Sequence, residues 1–221
     1  MALGFDEKTL GKCAGCGKKL AVRAMATHIS KCGSLSGAND ATVILVKSPY
    51  LRAYWLYLSL SPKATLEDLD RLLREYWVEC CGHLSTFSAK DGTEYASEGW
   101  EEDGLEQNMR PMDKANASKI LPAGASLSYE YDMGTTTELV VESLGVHSLC
   151  AAKKIAILAR NNPPAATCDK CGAKAELVAC DDDKAFCKEC AKKIDEDETP
   201  LLPIVNSPRT WQCGYTGRPY E

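Results

Sequence analysis

Four cysteines in two closely spaced pairs offer the clearest chemistry in the chain. Cys168 with Cys171 and Cys187 with Cys190 form two C-x-x-C motifs separated by fifteen residues. Each motif turns two thiolates towards one ion, and the loop between them is long enough to complete a tetrahedron. The spacing predicts a structural four-thiolate zinc site on a hairpin followed by a helix start, with Gly172 in the metal-binding turn.

Two other uses of these cysteines stay open. A disulfide pair needs an oxidising compartment, and a redox dithiol needs a single C-x-x-C. Cys180 is a fifth candidate ligand, but two motifs already fill a four-coordinate site, so we expect a packed free thiol there. After Cys190 the chain is expected to continue as a short helix.

A second candidate zinc site lies near the N-terminus. Cys13, Cys16, His28 and Cys32 follow a C-x-x-C, eleven residues, then H-x-x-x-C. This spacing is close to that of a finger in which a hairpin faces a short helix. Residues 21–31 can form that helix, with His28 and Cys32 on one face. The alternative is a disordered tail with incidental cysteines. The two sites together predict two structural zinc ions.

The distribution of charge limits where nucleic acid could bind. The net charge is −5 overall, with +4 over residues 1–33, −9 over 34–150 and 0 over 151–221. An acidic middle repels a phosphate backbone, so only the finger has the favourable sign. One finger covers only about 3 bp, and a basic surface also keeps a small finger soluble. The basic residues of the finger that could contact phosphate are Lys12, Lys18, Lys19, Arg23 and Lys31, and the candidate nucleic-acid contacts chosen among them are Lys18, Lys19 and Arg23.

Composition predicts a soluble, cytoplasmic protein. Of the 221 residues, 45% are hydrophobic and 26% are charged, which is ordinary for a globular protein. The sequence has neither a membrane-length apolar run nor a basic-then-apolar leader. In the cytoplasm the twelve cysteines serve as metal ligands and free thiols. We expect Cys150 and Cys213 to be buried thiols.

The middle of the chain predicts strands with turns between them. Two strand-like runs flank Pro49, the second of them half-buried, and hairpins centre on Asp91-Gly92 and Met133-Gly134. Residues 153–160 predict a further strand, and 97–118 look like a long connection.

One helix is predicted over residues 65–80. Thr65 and Asp68 form a capping box, and apolar residues at helical spacing give the helix a core-facing side. Residues 36–40 (SGAND) read as a linker, and the Pro- and Gly-rich tail from Leu201 is expected to dock as an extended segment.

The central residues resemble a known family. A strand, the TLEDLDRLLREYW helix, Gly82-His83 and then YEYDMG look like the plasmid Ri open-reading-frame-3-like proteins, often labelled insertion-element passenger or resolvase-like. The similarity covers roughly residues 42–145 and rests mainly on the helix with Tyr129, Tyr131, Asp132 and Gly134. It implies an α+β fold and little about biochemistry. Members continue with a tryptophan and a histidine where this chain has TTTEL, so a family site there is altered or absent.

Two catalytic constellations compete with a binding role. Carboxylates around the second hairpin could hold magnesium for phosphoryl chemistry, or they could simply decorate a solvated turn. That group comprises Glu130, Asp132, Glu138, His83 and His147. Cys80-Cys81 with His83 could supply a thiolate and a base, but neighbouring side chains are expected to point apart and no orienting third group is evident.

These patterns predict an α+β protein with a mixed or antiparallel sheet and packed helices, flanked by two small zinc modules. The expected domains are a finger at 1–36, an α+β domain at 41–160, and a zinc module with tail at 161–221. Closed zinc sites are structural, so we expect a non-enzymatic adaptor that binds nucleic acid or a protein partner. The alternatives are a divalent-metal nuclease or hydrolase centred on the YEYDMG hairpin, and zinc modules that only staple the termini.

Overall fold

The structure is a computed structural model that describes residues 9–98, 109–150, 153–179, 184–195 and 199–217. Within these residues, ten strands form one sheet. In chain order they are β1 (Leu10–Cys13), β2 (Lys19–Ala21), β3 (Ser36–Lys47), β4 (Trp55–Leu60), β5 (Ser85–Ala89), β6 (Glu94–Ala96), β7 (Arg110–Pro111), β8 (Ser126–Tyr131), β9 (Thr137–Leu149) and β10 (Ile155–Asn161).

The order of these strands across the sheet is β2-β1-β10-β4-β3-β9-β8-β5-β6-β7. Neighbours run antiparallel except β6 and β7, which run parallel. The sheet is therefore mixed and mostly antiparallel, and the predicted α+β class is confirmed.

Short helices and a second, smaller sheet complete the described part of the chain. The helices are α1 (Val22–Ile29), α2 (Leu66–Leu73) with a π-helical turn after it (Arg74–Val78), a 3-10 turn (Met112–Lys114), α3 (Ala117–Ile120) and α4 (Lys188–Ala191). The smaller sheet consists of β11 (Leu177–Ala179), β12 (Ala185–Phe186) and β13 (Leu201–Pro203), in the order β12-β11-β13. Within the described ranges no helix combines the length and the apolarity needed to cross a membrane.

Strand β4 is the centre of the core because both of its faces are buried. Leu56 packs on one side in the cluster that contains Leu69 of α2. Trp55 and Tyr57 pack on the other side in the cluster that contains Met25 of α1. The prediction of a half-buried strand was wrong, since a helix covers each face. Burial of one aliphatic side chain such as Leu56 contributes about 1.5–3 kcal/mol to the free energy of folding.

Helix α2 begins as its sequence predicts. The Thr65 hydroxyl accepts a hydrogen bond from the Asp68 amide, and the Asp68 carboxylate accepts one from the Thr65 amide. This capping box satisfies amides that have no partner within the helix. The π-helical turn then continues the helical path to Val78 and directs the chain towards Glu79 and Cys80.

The segment at 36–40 is not a linker, contrary to its composition. It forms the first part of β3 and pairs with β9, with Asp40 opposite Ser148. A register shift between Ser36 and Asn39 accommodates the small residues, as bulges do. The long partner strand β9 supplies hydrogen bonds that outweigh the local turn preference.

Both predicted hairpins are confirmed. Gly92 occupies the left-handed region at φ +84° between β5 and β6. Asp132 closes the turn between β8 and β9, where its Oδ1 accepts hydrogen bonds from the amides of Gly134 and Thr135. The strand predicted at 153–160 is β10. Of the predicted connection at 97–118, residues 99–108 lie outside the described residues, and the remainder contributes β7, the 3-10 turn and α3.

The finger hairpin and the C-terminal tail are joined to this core. Strand β1 pairs with β10, with Gly11 opposite Asn161, so the finger hairpin extends the main sheet. From Leu201 the tail forms β13 on the small sheet and then runs to Trp77, whose carbonyl accepts a hydrogen bond from the Ser207 hydroxyl. The predicted docking of the tail is therefore confirmed.

Candidate metal centres

The N-terminal ligand set meets at one point. Cys13 ends β1, Cys16 lies in the turn, His28 lies in the last turn of α1, and Cys32 follows the helix. The Cys13 and Cys32 Sγ atoms are 3.9 Å apart, and Cys16 Sγ is 3.2 Å from His28 Nε2. All four ligand atoms lie within 4.8 Å of one another. The structure therefore brings the four predicted ligand residues together.

Local structure explains why the hairpin and helix face each other. Gly17 adopts φ +73° and donates its amide to the Cys13 carbonyl at 2.9 Å, which closes the knuckle. Helix α1 then buries Met25 and Ile29 against the sheet. This packing orients the helix so that its His28 side faces the knuckle.

The C-terminal cysteines form a second cluster. The Sγ atoms of Cys168, Cys171, Cys187 and Cys190 lie within 4.8 Å of one another, with Cys171 and Cys187 3.7 Å apart. Gly172 adopts φ +71° in the first knuckle, as predicted. The second pair opens α4, which confirms the hairpin followed by a helix start.

One prediction for this module was wrong, and a second concerns a residue outside the described ranges. Helix α4 ends at Ala191 and does not continue, because the chain turns where the Lys193 amide bonds the Cys190 carbonyl and Ile194 packs on the small apolar cluster of the module. Cys180 lies outside the described residues, so its predicted role as a packed free thiol stays a prediction.

The separations in both clusters match a tetrahedral cage. Zn–S bonds of about 2.3 Å and Zn–N bonds of about 2.0 Å place neighbouring ligand atoms about 3.5–3.8 Å apart. A disulfide would bring two sulfurs to about 2.05 Å. The cysteines with described positions are free thiols. The donor sets and their spacing therefore fit zinc.

Hydrogen bonds within the four-cysteine cluster shift the pKa values of its thiols in opposite directions. A backbone hydrogen bond from Cys187 lowers the pKa of Cys168 to about 6. The Cys171 side chain, in contrast, raises the pKa of Cys190 to about 12. A divalent ion at this point would favour the thiolate form of all four cysteines.

A third cluster was missed at the sequence level. Cys80, Cys81, His83 and Cys213 bring their ligand atoms within 4.8 Å of one another. The expectation that neighbouring side chains of this group point apart was wrong. The Cys80 and Cys81 Sγ atoms are 3.4 Å apart, and Gly82 at φ +80° reverses the chain and leaves Cys81 Sγ 2.9 Å from His83 Nε2. The only local signal was the run Cys-Cys-Gly-His.

The two cysteines predicted to be buried thiols are exposed. Cys213 joins the third cluster, with its Sγ 3.8 Å from that of Cys81. Cys150 lies outside the three clusters and contacts the carbonyl of Ser36. Cys150 directly follows β9, and Cys213 lies in a turn of the tail.

Both carboxylate oxygens of Asp132 accept hydrogen bonds from other residues of the chain, so Asp132 does not form a carboxylate metal site. Its Oδ2 accepts a hydrogen bond from Arg209 Nη2 at 2.5 Å and lies 3.4 Å from His83 Nε2. Burial opposes ionisation of Asp132, but Arg209 and the amides of Gly134 and Thr135 outweigh burial and lower its pKa. A magnesium ion at this carboxylate would have to displace a buried arginine.

The other members of the predicted magnesium group lie elsewhere. Glu130 and Glu138 are opposite each other on β8 and β9, and Glu138 accepts a hydrogen bond from the Tyr50 hydroxyl at 3.0 Å. His147 lies opposite Ala41 near the far end of β9. In the described part of the chain, groups of three or more metal-binding side chains occur as the three Cys/His clusters.

The predicted nucleic-acid contacts do not share one face. Lys19 lies opposite Lys12 across the β1–β2 hairpin, and Lys12 lies opposite Arg160 across β1 and β10. Opposed residues on neighbouring strands point to the same side of a sheet. Arg23 lies on α1, which packs on the face that buries Trp55. The register adds Lys12, another basic residue of the finger, and Arg160, which the sequence did not single out.

A cavity of about 610 Å³ adjoins these cations. Its lining is mostly apolar, and the polar groups at its edge belong to Lys12, Asn162 and Asn206. Arg160 contributes to its wall and donates from Nη2 to the Asn206 carbonyl at 2.7 Å.

Fold and sites together define an α+β protein with a mixed sheet and Cys/His clusters that could hold metal ions. No protein-family model matches the chain, and no curated protein matches it. Among solved structures, the chain is similar to a protein of unknown function from Methanosarcina mazei Go1. The identity is 14% and the TM-score 0.45, over 62% of this chain and 76% of that chain. The resemblance to the plasmid Ri family stays a prediction.

Proposed function

We propose that the protein is a zinc-stabilised, non-enzymatic adaptor that binds nucleic acid through a cationic strip composed of Lys12, Lys19 and Arg160. The observation that carries this proposal is the register of three adjacent strands, β2, β1 and β10, which sets the three cations opposite one another. Neighbouring strands are about 4.8 Å apart, so the strip spans about 10 Å.

Such an arrangement is costly without an anionic partner. Like charges directly opposite on neighbouring strands destabilise the sheet. Lys12 and Lys19 are exposed, and neither forms an ion pair with another residue that the structure describes. Phosphate groups would offset this repulsion and release counterions on binding.

The surroundings of the strip suit a nucleic-acid backbone. The adjoining cavity presents the Asn162 side chain, which can donate to phosphate or sugar oxygens. Residues 1–33 carry +4 whereas 34–150 carry −9, so an approaching polyanion is steered to the finger end.

The first zinc site stabilises the hairpin that carries Lys12 and Lys19. Cys13 directly follows Lys12, and its amide bonds the Lys18 carbonyl at 3.0 Å, so the ion that holds Cys13 also holds the hairpin that carries the cations. The metal therefore serves architecture, as expected of a closed site with four protein ligands.

The test is fluorescence anisotropy with labelled single-stranded and duplex DNA and RNA across a salt series. The double variant Lys12→Ala/Lys19→Ala should weaken binding and reduce the slope of log K against log salt by about 2, one per lost phosphate contact. The matched control is Lys63→Ala/Lys119→Ala, two exposed lysines beyond the opposite end of β4. Equal loss in both variants, or no binding by the unmodified protein, overturns the proposal; in the second case an acidic protein becomes the partner to test.

The family resemblance over residues 42–145 is carried forward as a proposal, with a structural role for its motif. Tyr129 and Tyr131 are fully buried, and their hydroxyls donate to Asp70 and Glu79 at 2.8 and 2.9 Å. Asp132 of the same motif holds Arg209. These contacts favour a motif that builds the core over one that forms a catalytic centre. The cytoplasmic location also stays a prediction.

A further inference from the structure

We propose that Cys80, Cys81, His83 and Cys213 form a third metal centre, whose ion is a thiophilic divalent cation such as zinc. In this proposal the ion clamps the C-terminal segment, residues 199–217, onto the main sheet. Three ligands come from the loop between the π-helical turn and β5, and the fourth comes from the tail.

The distances support a shared ion. The Sγ atoms of Cys80 and Cys81 are 3.4 Å apart, and those of Cys81 and Cys213 are 3.8 Å apart. His83 Nε2 lies 2.9 Å from Cys81 Sγ and 3.5 Å from Cys213 Sγ. These values resemble the 3.2–3.9 Å separations in the other two clusters. They are far from the disulfide length of about 2.05 Å.

A catalytic thiol with a histidine base fits the geometry less well. In a nucleophile, histidine and carboxylate triad, the two partners of the ring use different nitrogens. Here Cys81 and Asp132 both approach Nε2 of His83, at 2.9 and 3.4 Å, and Cys213 approaches the same atom. Two sulfurs close to the same ring nitrogen are the arrangement expected when all three atoms are ligands of one cation.

The loop that supplies three ligands is held by residues outside the cluster. The Tyr131 hydroxyl accepts hydrogen bonds from the amides of Cys80 and His83 at 3.4 and 3.3 Å. Glu79 Oε1 accepts the Gly82 amide at 2.6 Å. The positions of these ligands are therefore fixed by the core, as in preorganised metal sites.

A buried guanidinium contacts one of the thiolates of such a site. Three thiolates, one neutral imidazole and a divalent ion leave a single negative charge. Arg209, which is fully buried, donates from Nη2 to Cys80 Sγ at 3.3 Å. The guanidinium thus stabilises the thiolate form of the ligand that lies deepest in the cluster.

The tail reaches the site in an unfavourable backbone conformation. Trp211 and Cys213 adopt φ +64° and +46°, a region that residues with side chains rarely occupy. Such strain persists where surrounding contacts determine it. Thr137 contributes one such contact through a 2.8 Å hydrogen bond to Gln212, and a bond from the ion to Cys213 would contribute another.

The ion would therefore close a very long loop. Cys81 and Cys213 are 132 residues apart in sequence, so their link joins the start of β5 to the end of the described chain. In the other two clusters the ligands lie within short segments of sequence, so an ion there would link only residues of the same module.

Metal counting by native mass spectrometry tests the proposal on the full-length, zinc-loaded protein. We expect three ions per unmodified chain, two for Cys213→Ser, and three for the matched control Cys150→Ser, which replaces an exposed cysteine outside the clusters. Two ions in the unmodified protein, or no difference between the two variants, overturns the proposal.

Thiol alkylation provides a readout that needs no variant. Cys81, Cys150 and Cys213 are all exposed, so burial does not distinguish their reactivity. In the zinc-loaded protein Cys150 should react with iodoacetamide at once, whereas Cys81 and Cys213 should react only after a chelator is added. Equal reaction of all three before chelation would contradict a bound ion. Neither measurement depends on the nucleic-acid proposal.

Discussion

Arg209 and Asp132 form a buried ion pair across 77 residues of sequence. The guanidinium is fully buried and also donates to the Thr135 carbonyl and the Thr137 hydroxyl, each at 2.9 Å. Burial disfavours its charge, but Asp132 and Cys80 outweigh burial and raise the pKa of Arg209 above its usual range. The pair thus attaches the tail to the turn between β8 and β9.

Removing the cation should destabilise the protein strongly. Arg209→Met leaves Asp132 buried without its partner, and such losses cost about 3–5 kcal/mol. The matched control is Arg71→Met, because Arg71 is 67% exposed and 3.5 Å from Glu67. An exposed pair of this kind contributes about 1 kcal/mol at most. Urea unfolding with saturating zinc measures both variants, and similar losses would show that the buried pair is unimportant.

Tyr57 should make stability depend on alkaline pH. Its hydroxyl donates to the Val22 carbonyl at 2.8 Å and joins the finger helix to the sheet. Burial raises the pKa of Tyr57 to about 12, above the unfolded value of about 10. A raised folded pKa gives stability that is fully present below the unfolded pKa and is lost as the pH rises towards the folded one.

The variant Tyr57→Phe isolates this effect. Near pH 8 the unmodified protein should be more stable by about 1 kcal/mol, the typical contribution of one hydrogen bond. Near pH 11 this advantage should vanish, because ionisation of the unfolded tyrosine costs about 1.4 kcal/mol per pH unit above its pKa. A stability difference that stays constant between the two pH values would rule out the assigned burial of the hydroxyl.

Gly11 allows the finger hairpin to approach the sheet. A Cβ at this position would overlap the Trp55 indole and the Arg160 carbonyl. Gly11→Ala should therefore destabilise the protein by about 1–3 kcal/mol, as overpacking does. At Gly33 an added Cβ has no heavy atom within 4 Å, so Gly33→Ala is the control and should be nearly neutral. Thermal unfolding compares them, and equal melting temperatures would contradict the pairing of β1 with β10.

Loss of one finger ligand should release α1. An isolated helix of eight residues is too short to be stable in water, so we expect the packing of Met25 and Ile29 and an ion at the finger cluster to hold it together. We expect Cys16→Ser to lose one ion and to accelerate amide hydrogen exchange over residues 22–29. Cys150→Ser should leave both readouts unchanged. Unaltered exchange in Cys16→Ser would mean that packing alone holds the helix.

Much of this protein follows from local sequence. The four-cysteine cluster and the finger cluster were assigned from spacing, because ligands separated by two residues share a knuckle whatever the rest of the chain does. The Thr65 capping box and the turn at Asp132 were predicted for the same reason, since each depends on hydrogen bonds between residues no more than three apart.

Other features depended on which distant segments meet. Residues 36–40 form a strand because β9 is long enough to pair with them, although their composition favours a turn. The cationic strip exists only through the register of β2, β1 and β10. The third cluster joins Cys81 to Cys213 through the folding of the whole sheet, and no spacing in a sequence records such a contact. Local geometry is encoded by neighbours along the chain, whereas a site shared by distant segments is decided by the packing that brings them together.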